Sequence, residues 1–278
     1  MPGKILHGSR ALITGATAGI GRSTASLFAS LGCDLMLIAR RNELLQAFAA
    51  QLHNEHGIEV LPLCADVSDI AALKEVLGIT LEQHPVDIAI LNAGIGLYGP
   101  FAATAWKEVE KVLRTNIDGA MGVTRMVIPQ MLARRKGSIV FVSSVLGKRA
   151  IPWNTVYCAS KQALHGFADG LRLEVRRHGV HVGIVAPART STDFFKSRMY
   201  SAPQTKQRKV PESSPDIVAR AILKNVLGKR RETAVTFYGM LFCFFGYHFP
   251  RTCDFIFSRF MPSPEDDDHT DTSAPYPF

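Results

Sequence analysis

The sequence predicts an α/β fold: a doubly wound parallel sheet in a three-layer αβα arrangement, built as a single domain with a C-terminal aromatic helical extension. Three observations lead there. Short apolar runs alternate with longer amphipathic stretches over the first two hundred residues. The order strand, helix, strand implies right-handed crossovers and a sheet covered on both faces. The chain is also long enough, at 278 residues with 47% hydrophobic and 20% charged, to bury one sizeable core.

The elements follow in order. Apolar runs at residues 11–13, 35–39, 60–63, 88–91, 139–142 and 182–185 have the length of buried strands. Helical periodicity occupies 19–31, 42–56, 69–83, 104–135 and 154–178 between them. The doubly wound domain is expected over residues 1–232. Past the sixth strand, residues 189–231 hold eleven Lys/Arg against three acids around a Pro/Gln/Ser-containing stretch, followed by a helix ending near Gly228. An aromatic extension at 233–261 comes next, and an acidic, Pro-rich tail at 262–278 is expected to be disordered.

Formal charge is +8. The tail carries five acids and no Lys or Arg, so the remainder of the chain is 8 + 5 = +13. Charge alone would suit nucleic acid, anionic lipid or a phosphorylated ligand. No zinc spacing and no basic stripe with interleaved aromatics accompanies it, so nucleic-acid binding is discounted. The five cysteines show no C-x-x-C or other metal-ligand spacing, which fits a reducing compartment, and no metal is expected. The first ten residues lack an apolar h-region, so no cleaved signal peptide is expected, and the location is read as cytoplasmic.

The first strand runs into Thr14-Gly15-Ala16-Thr17-Ala18-Gly19-Ile20-Gly21 and then a helix. Glycines at such a junction let the backbone turn sharply and approach a pyrophosphate, whose charge sits on the helix N-terminus. Gly15, Thr17, Gly19, Ile20 and Gly21 are therefore candidate dinucleotide contacts. The second strand ends in Ala39-Arg40-Arg41, where a ribose-binding carboxylate would otherwise stand. Nothing there repels a 2′-phosphate, and Arg40 can pair with one, which favours NADP(H); Arg22 adds charge nearby. The competing reading is that both arginines only begin a solvated helix.

Tyr157 and Lys161 stand four residues apart in a helical pattern, so both side chains share one face. A phenol with an ordinary pKa of ~10 needs help to exchange protons at neutral pH. A nearby ammonium and an oxidised nicotinamide both favour the phenolate. Ser144 lies just past the fifth strand, at the sheet edge that lines the ligand crevice, where its hydroxyl can hold a carbonyl oxygen.

With these residues in place the chain resembles the short-chain dehydrogenase/reductase family over roughly residues 8–193. The resemblance implies a Rossmann-type fold with residues 14–21 as the cofactor turn and Asp66-Val67 as the adenine contact. It assigns Asn92-Ala93-Gly94 to the central strand and ribose, although the family's usual additional Asn is Leu91 here. It also implies a catalytic set of Asn116, Ser144, Tyr157 and Lys161, with Lys161 binding the nicotinamide ribose and Asn116 holding a water of the proton relay. Thr192, or its neighbour Thr190, matches the nicotinamide contact. The family's Pro-Gly after the sixth strand is Pro187-Ala188, which puts the loop geometry in question. A homodimer or homotetramer built on the 104–135 and 154–178 helices is a further expectation of the resemblance.

Leu97, Tyr98, Val145, Leu146, Ile151, Trp153, Phe194, Phe195 and Met199 are candidate pocket residues. They are mostly apolar and point to a lipophilic ketone or secondary alcohol. Within the family this looks like hydroxysteroid dehydrogenases and 3-ketosphinganine reductases, of lipid metabolism, with sugar or acyl-carrier substrates as alternatives. Aromatic residues crowd 234–260, interrupted by Gly239, Gly246, His248 and Pro250, so a spanning helix is not expected. An interfacial membrane anchor fits, with Lys229, Arg230, Arg231, Arg251 and Arg259 meeting anionic lipid; a dimer contact or a lid over the pocket fits as well. The function read from the sequence is NADP(H)-dependent hydride transfer. The alternative is a non-catalytic NADP-binding scaffold that uses the aromatic segment as its interface.

Overall fold

The computed structural model describes residues 5–192, 194, 198–200 and 212–261; Phe195, most of the 201–215 stretch and the acidic tail lie outside these. Seven parallel strands form the sheet: β1 (Arg10–Thr14), β2 (Asp34–Ala39), β3 (Val60–Cys64), β4 (Ile88–Leu91), β6 (Gly137–Val142), β7 (Val180–Ala186) and β9 (Glu232–Ala234). Their spatial order is β3-β2-β1-β4-β6-β7-β9. The order in which successive strands are laid down switches sides between β1 and β4, and at such a switch point the strand C-termini open a ligand crevice. The doubly wound α/β expectation is borne out. Two short strands, β5 (Leu97–Tyr98) and β8 (Met199–Tyr200), form a separate parallel pair at the crevice rim.

Helices cover both faces. On one side α1 (Gly19–Ser30), α2 (Asn42–His56) and α7 (Pro215–Leu227) bury Phe28, Leu45, Phe48 and Ile222 against β1 and β2. On the other, α3 (Ile70–Gln83), α5 (Gly119–Arg134) and α6 (Thr155–Val175) bury Leu73, Val123, Val127 and Leu164 against Leu12, Ile139 and Phe141. The residues of β4 and β6 that face α3, α5 and α6 alternate with those facing α1 and α7, as a strand period of two requires. The 104–135 periodicity resolves into α4 (Trp106–Leu113), a π-helical turn (Arg114–Asp118) and α5. That widened turn carries Asn116 inward.

The aromatic segment forms two helices, α8 (Phe237–His248) and α9 (Pro250–Phe260), parted at Phe249-Pro250 because proline lacks the N–H a continuing helix needs. Among the described residues, no helix is long and apolar enough to cross a membrane.

One buried side chain ties the seventh strand to its neighbour beside the backbone ladder. Asn225 of α7 is fully buried; its Nδ2 donates to the Ile184 carbonyl of β7 at 3.1 Å and to Thr233 Oγ1 of β9 at 3.0 Å. Gly183 leaves the room this needs, since a Cβ there would sit 2.0 Å from Asn225 Oδ1. Asn225→Ala is expected to lower stability by about 1–3 kcal/mol in urea unfolding, the cost of unpairing buried polar groups. An unchanged midpoint would show that β9 is held by its backbone ladder alone.

Candidate active site

The glycine turn is drawn tight by contacts that admit no side chain. Gly15 has φ +67°, and a Cβ on Gly21 would fall 2.3 Å from the Gly15 carbonyl oxygen. A Cβ on Gly19, at φ +50°, would press Thr192 Cγ2 at 2.9 Å. Below the turn, Thr14 Oγ1 accepts from the backbone N–H groups of Asn92 and Ala93 at 2.9 and 3.0 Å. Asn92 Nδ2 donates to the Thr14 carbonyl at 2.9 Å. Helix α1 opens at Ala18 with no side-chain cap, so its first N–H groups face the crevice without a protein acceptor from the cap position.

Gly15, Thr17, Gly19, Ile20, Arg40, Asp66, Val67, Asn92, Ala93, Gly94, Ser144, Tyr157, Lys161 and Thr192 all line one cavity of about 1450 Å³. Gly21 and Asn116 stand behind its wall, supporting Gly15 and Gly94. Arg40 is exposed and pairs with Asp66 at 3.5 Å. Its neighbour Arg41, which also lines the cavity, donates from Nη2 to Thr17 Oγ1 at 3.0 Å, within the glycine turn itself. Burial raises the Asp66 carboxyl, but hydrogen bonds from Ser68 and the charge of Arg40 outweigh it and hold it below its ordinary value. Arg22 turns away, its guanidinium 4.1 Å above the Phe48 ring.

Helix α6 and the end of β6 bring the remaining groups together. Lys161 is buried, and its Nζ donates to the Val142 carbonyl at 3.0 Å. Ser143 Oγ donates back to the Lys161 carbonyl at 3.0 Å. Ser143 therefore braces helix to strand, while Ser144 faces the cavity, hydrogen-bonds Tyr157 and accepts from Leu146 N at 3.1 Å. Asn116 makes three side-chain hydrogen bonds: Oδ1 accepts from Ile95 N at 2.8 Å, and Nδ2 donates to the Ile95 carbonyl at 3.0 Å and Ser160 Oγ at 2.9 Å. Its side chain is thus committed to holding the π turn against the end of β4.

Burial pushes the Tyr157 phenol up from its ordinary value; the Ser144 hydrogen bond and the positive charge of Arg198 pull against it. Lys161 Nζ lies 5.8 Å from the Tyr157 ring centroid. Burial brings its own ammonium down to about 8. The nearby lysine is therefore itself destabilised by burial, a balance that residue spacing does not show.

Several residues of the site carry no sequence motif. Arg198 stacks over Tyr98 and Tyr200 at 4.6 and 5.2 Å and donates to Asn154 Oδ1 at 3.3 Å, at the start of α6. Phe194 meets the Tyr157 ring at 5.6 Å. Trp153 sits at φ +63°, its carbonyl accepting from Gly99 N at 2.9 Å, and lines the cavity. Burial lowers His165, one turn beyond Lys161, to about 4. The only cue to these positions was their place in an apolar loop or on the α6 face. Ala188 is absent from the non-glycine residues at positive φ, so the missing glycine of the Pro187-Ala188 pair costs no strain.

The model of the short chain dehydrogenase family matches residues 9–201, and this chain belongs to that family. A Drosophila melanogaster protein named dehydrogenase/reductase SDR family protein 7-like is 34% identical over 247 residues, covering 85% of this chain and 73% of that one. An NADP-dependent 3-hydroxy acid dehydrogenase of Schizosaccharomyces pombe is 32% identical, covering 83% and 90%. Among solved structures, a short-chain dehydrogenase from Sphingobium yanoikuyae in complex with NADPH superposes with a TM-score of 0.76 at 28% identity, over 88% and 96% of the two chains. The chain is accordingly an oxidoreductase.

The burial of Lys161 has a measurable consequence. Its folded pKa, about 8, lies below the ordinary 10.5. Between those values the unfolded chain binds more protons, so this group makes stability rise with pH across roughly 8 to 10.5. Below pH 8 the charge is buried at a cost on the order of 3 kcal/mol. Lys161→Met is expected to flatten that rise and to stabilise the chain at pH 7 by somewhat less, since Val142 loses its donor. Denaturant midpoints at pH 7, 9 and 10.5 test this.

Proposed function

We propose that this enzyme is an NADP(H)-dependent reductase of lipophilic ketones, running in reverse as a secondary-alcohol dehydrogenase. The observation that carries this reading is one cavity containing, in continuity, a phosphate-grade glycine turn, two arginines at the end of β2, the Ser144–Tyr157–Lys161 group and an apolar wall. The residues present fit the cofactor. Gly15, Gly19 and Gly21 leave no room for side chains where a pyrophosphate must approach, and α1 offers uncapped N–H groups. Arg40 and Arg41 supply cations for a 2′-phosphate, and NADP is the cofactor named for the Schizosaccharomyces pombe relative and, as NADPH, in the Sphingobium complex.

When bound, NADPH supplies the hydride that reduces a carbonyl carbon. The protein's own work concerns the carbonyl oxygen. Ser144 and Tyr157 both line the cavity, and their hydroxyls hold that oxygen. Tyr157 is protonated at neutral pH, the form needed to donate its proton to the oxygen as charge develops there, and burial favours that form further. Lys161, fixed between α6 and Val142, places a cation beneath Gly94, where the ribose is expected. Tyr98, Val145, Leu146, Ile151 and Trp153 line the substrate side, along with Phe242 and Phe257 of the extension, whereas Leu97, a pocket candidate by sequence, is buried in the core against Val109, Val112 and Val156. This lining favours a steroid or long-chain ketone over a sugar.

Tyr157→Phe is expected to reduce kcat at least about a thousandfold with NADPH affinity unchanged, as loss of a general acid predicts. Retained turnover would end the proton-donor role; tight NADPH binding without turnover of any steroid, 3-keto lipid or small aldehyde by the parent enzyme would favour a scaffold. Arg41→Ala, alone and with Arg40→Ala, is expected to weaken NADPH tenfold or more while leaving NADH nearly unchanged, the worth of a charge-assisted contact. Titration by nicotinamide fluorescence reads both.

A further inference from the structure

The extension is not a simple cover. Gly239 and Gly246 are seven residues apart, two turns of α8, and therefore share a face. A Cβ on Gly239 would lie 3.0 Å from Val145 Cγ1, and one on Gly246 would lie 2.7 Å from Arg149 Cβ. The glycine face lies flat on the segment after β6, and the opposite face carries Phe237, Leu241, Phe244 and His248 at helical spacing. These are large groups turned to solvent, Phe237 64% and Phe244 52% exposed, and Phe245 at 49% and Tyr247 at 80% flank them. The rings touch one another, Phe244 to Phe245 at 5.6 Å and Phe245 to Phe249 at 5.9 Å, so the patch is continuous. Isolated exposed hydrophobics are ordinary, whereas a contiguous aromatic face marks an interface.

Charge and the cavity indicate what covers it. Helix α8 has no Lys, Arg, Asp or Glu. The one carboxylate of α9, Asp254, pairs with Arg149, leaving Arg251 and Arg259 exposed on that helix. Lys229, Arg230 and Arg231 belong elsewhere: they precede β9, and Arg231 pairs with Asp169 at 3.0 Å. Phe237, Tyr238, Ile256 and Phe260 both line the catalytic cavity and stand exposed, so the cavity mouth opens on this same aromatic face. A protein partner seated there would cover the mouth, whereas a bilayer meets it with apolar chains. Aromatic residues with arginines beside them suit the boundary between headgroups and acyl chains.

We infer that α8 and α9 dock the enzyme on an anionic lipid surface, with the mouth of the catalytic cavity facing the bilayer so that an apolar ketone enters from the membrane. This rests on the lipophilic substrate proposed above, but its first test needs no substrate. The full chain is floated with vesicles of phosphatidylcholine containing 30% phosphatidylserine, and with phosphatidylcholine alone. The parent protein is expected to float with the mixed vesicles. Phe244→Ser with Phe245→Ser is expected to reduce partitioning about tenfold or more, since neither side chain lines the cavity and both lose apolar burial. Arg251→Glu with Arg259→Glu is expected to reduce it several-fold, which also serves should the phenylalanine pair fail to fold.

Absence of flotation by the parent, or equal flotation by both double variants, overturns the inference. So does a concentration-dependent dimer that Phe244→Ser with Phe245→Ser dissociates, because the occupant is then a second copy. Turnover separates the two readings. If function and docking both hold, the phenylalanine variant keeps its rate on a short water-soluble ketone and loses at least several-fold on one dissolved in vesicles. Flotation without turnover of any ketone leaves docking standing and removes the substrate reading.

Discussion

The site depends on a reciprocal clasp between the end of β6 and the middle of α6. Lys161 passes a proton donor to the Val142 carbonyl, and Ser143 passes one to the Lys161 carbonyl, each at 3.0 Å. Buried hydrogen bonds of this kind contribute modestly when made and cost much more when half-made. The clasp fixes the helix in both rotation and height over the sheet. Tyr157, one turn earlier on the same face, inherits its position, and Ser144 follows from the residue that closes the clasp. Gly147 belongs to the same device: a Cβ there would lie 2.7 Å from Ser143 Oγ and 2.9 Å from the Lys161 carbonyl. The catalytic groups are therefore precise because a strand terminus and a helix interior share two hydrogen bonds.

The cation at the centre of that clasp has no carboxylate as its hydrogen-bond partner. Its neighbours are a peptide carbonyl, Gly94 and the Asn116 side chain, which is itself tied to Ile95 and Ser160. An ion pair would settle the charge and hold the lysine to its acid partner. A lone carbonyl leaves the ammonium destabilised by burial and available to other oxygens. Stability is given up locally in exchange for a group that can bind, and the surrounding sheet, with its fully buried Leu12, Ile13, Phe141 and Ile184, absorbs the loss.

Much of this was legible in the amino-acid order. Parallel strands buried on both faces read as short unbroken apolar runs, so β1 to β4, β6 and β7 stood out, and the longer helices between them kept a period of 3.6 for three turns or more. The three-residue β9 and the two-residue β5 and β8 did not, since alternation needs more residues than they have. Which of two successive arginines turns toward Thr17 depends on backbone direction past the strand end, and composition carries no trace of it. Arg198 was equally unmarked, and Phe194 and Trp153 stood out only as apolar pocket candidates, because all three enter the cavity through loops whose path is set by Gly96, Gly99 and the α6 N-terminus.

A small pinch beside the site has wider implications. Thr190 and Ser213 form a parallel bridge; Ser213 N donates to the Arg189 carbonyl, Ser191 N to the Ser213 carbonyl, both at 2.9 Å, and Arg189 pairs with Glu212 at 2.7 Å. The chain between these points is closed off at its base, and β8 ties it once more to β5. Closing a longer excursion across a fixed neck adds only about 0.6 kcal/mol per doubling of its length. A change of length between the neck points therefore costs the sheet and the clasp little, whereas Thr192, Phe194 and Arg198 within it line the cavity itself. The neck thus gives the lineage a place where loop length can vary without disturbing the strand–helix clasp that positions Tyr157.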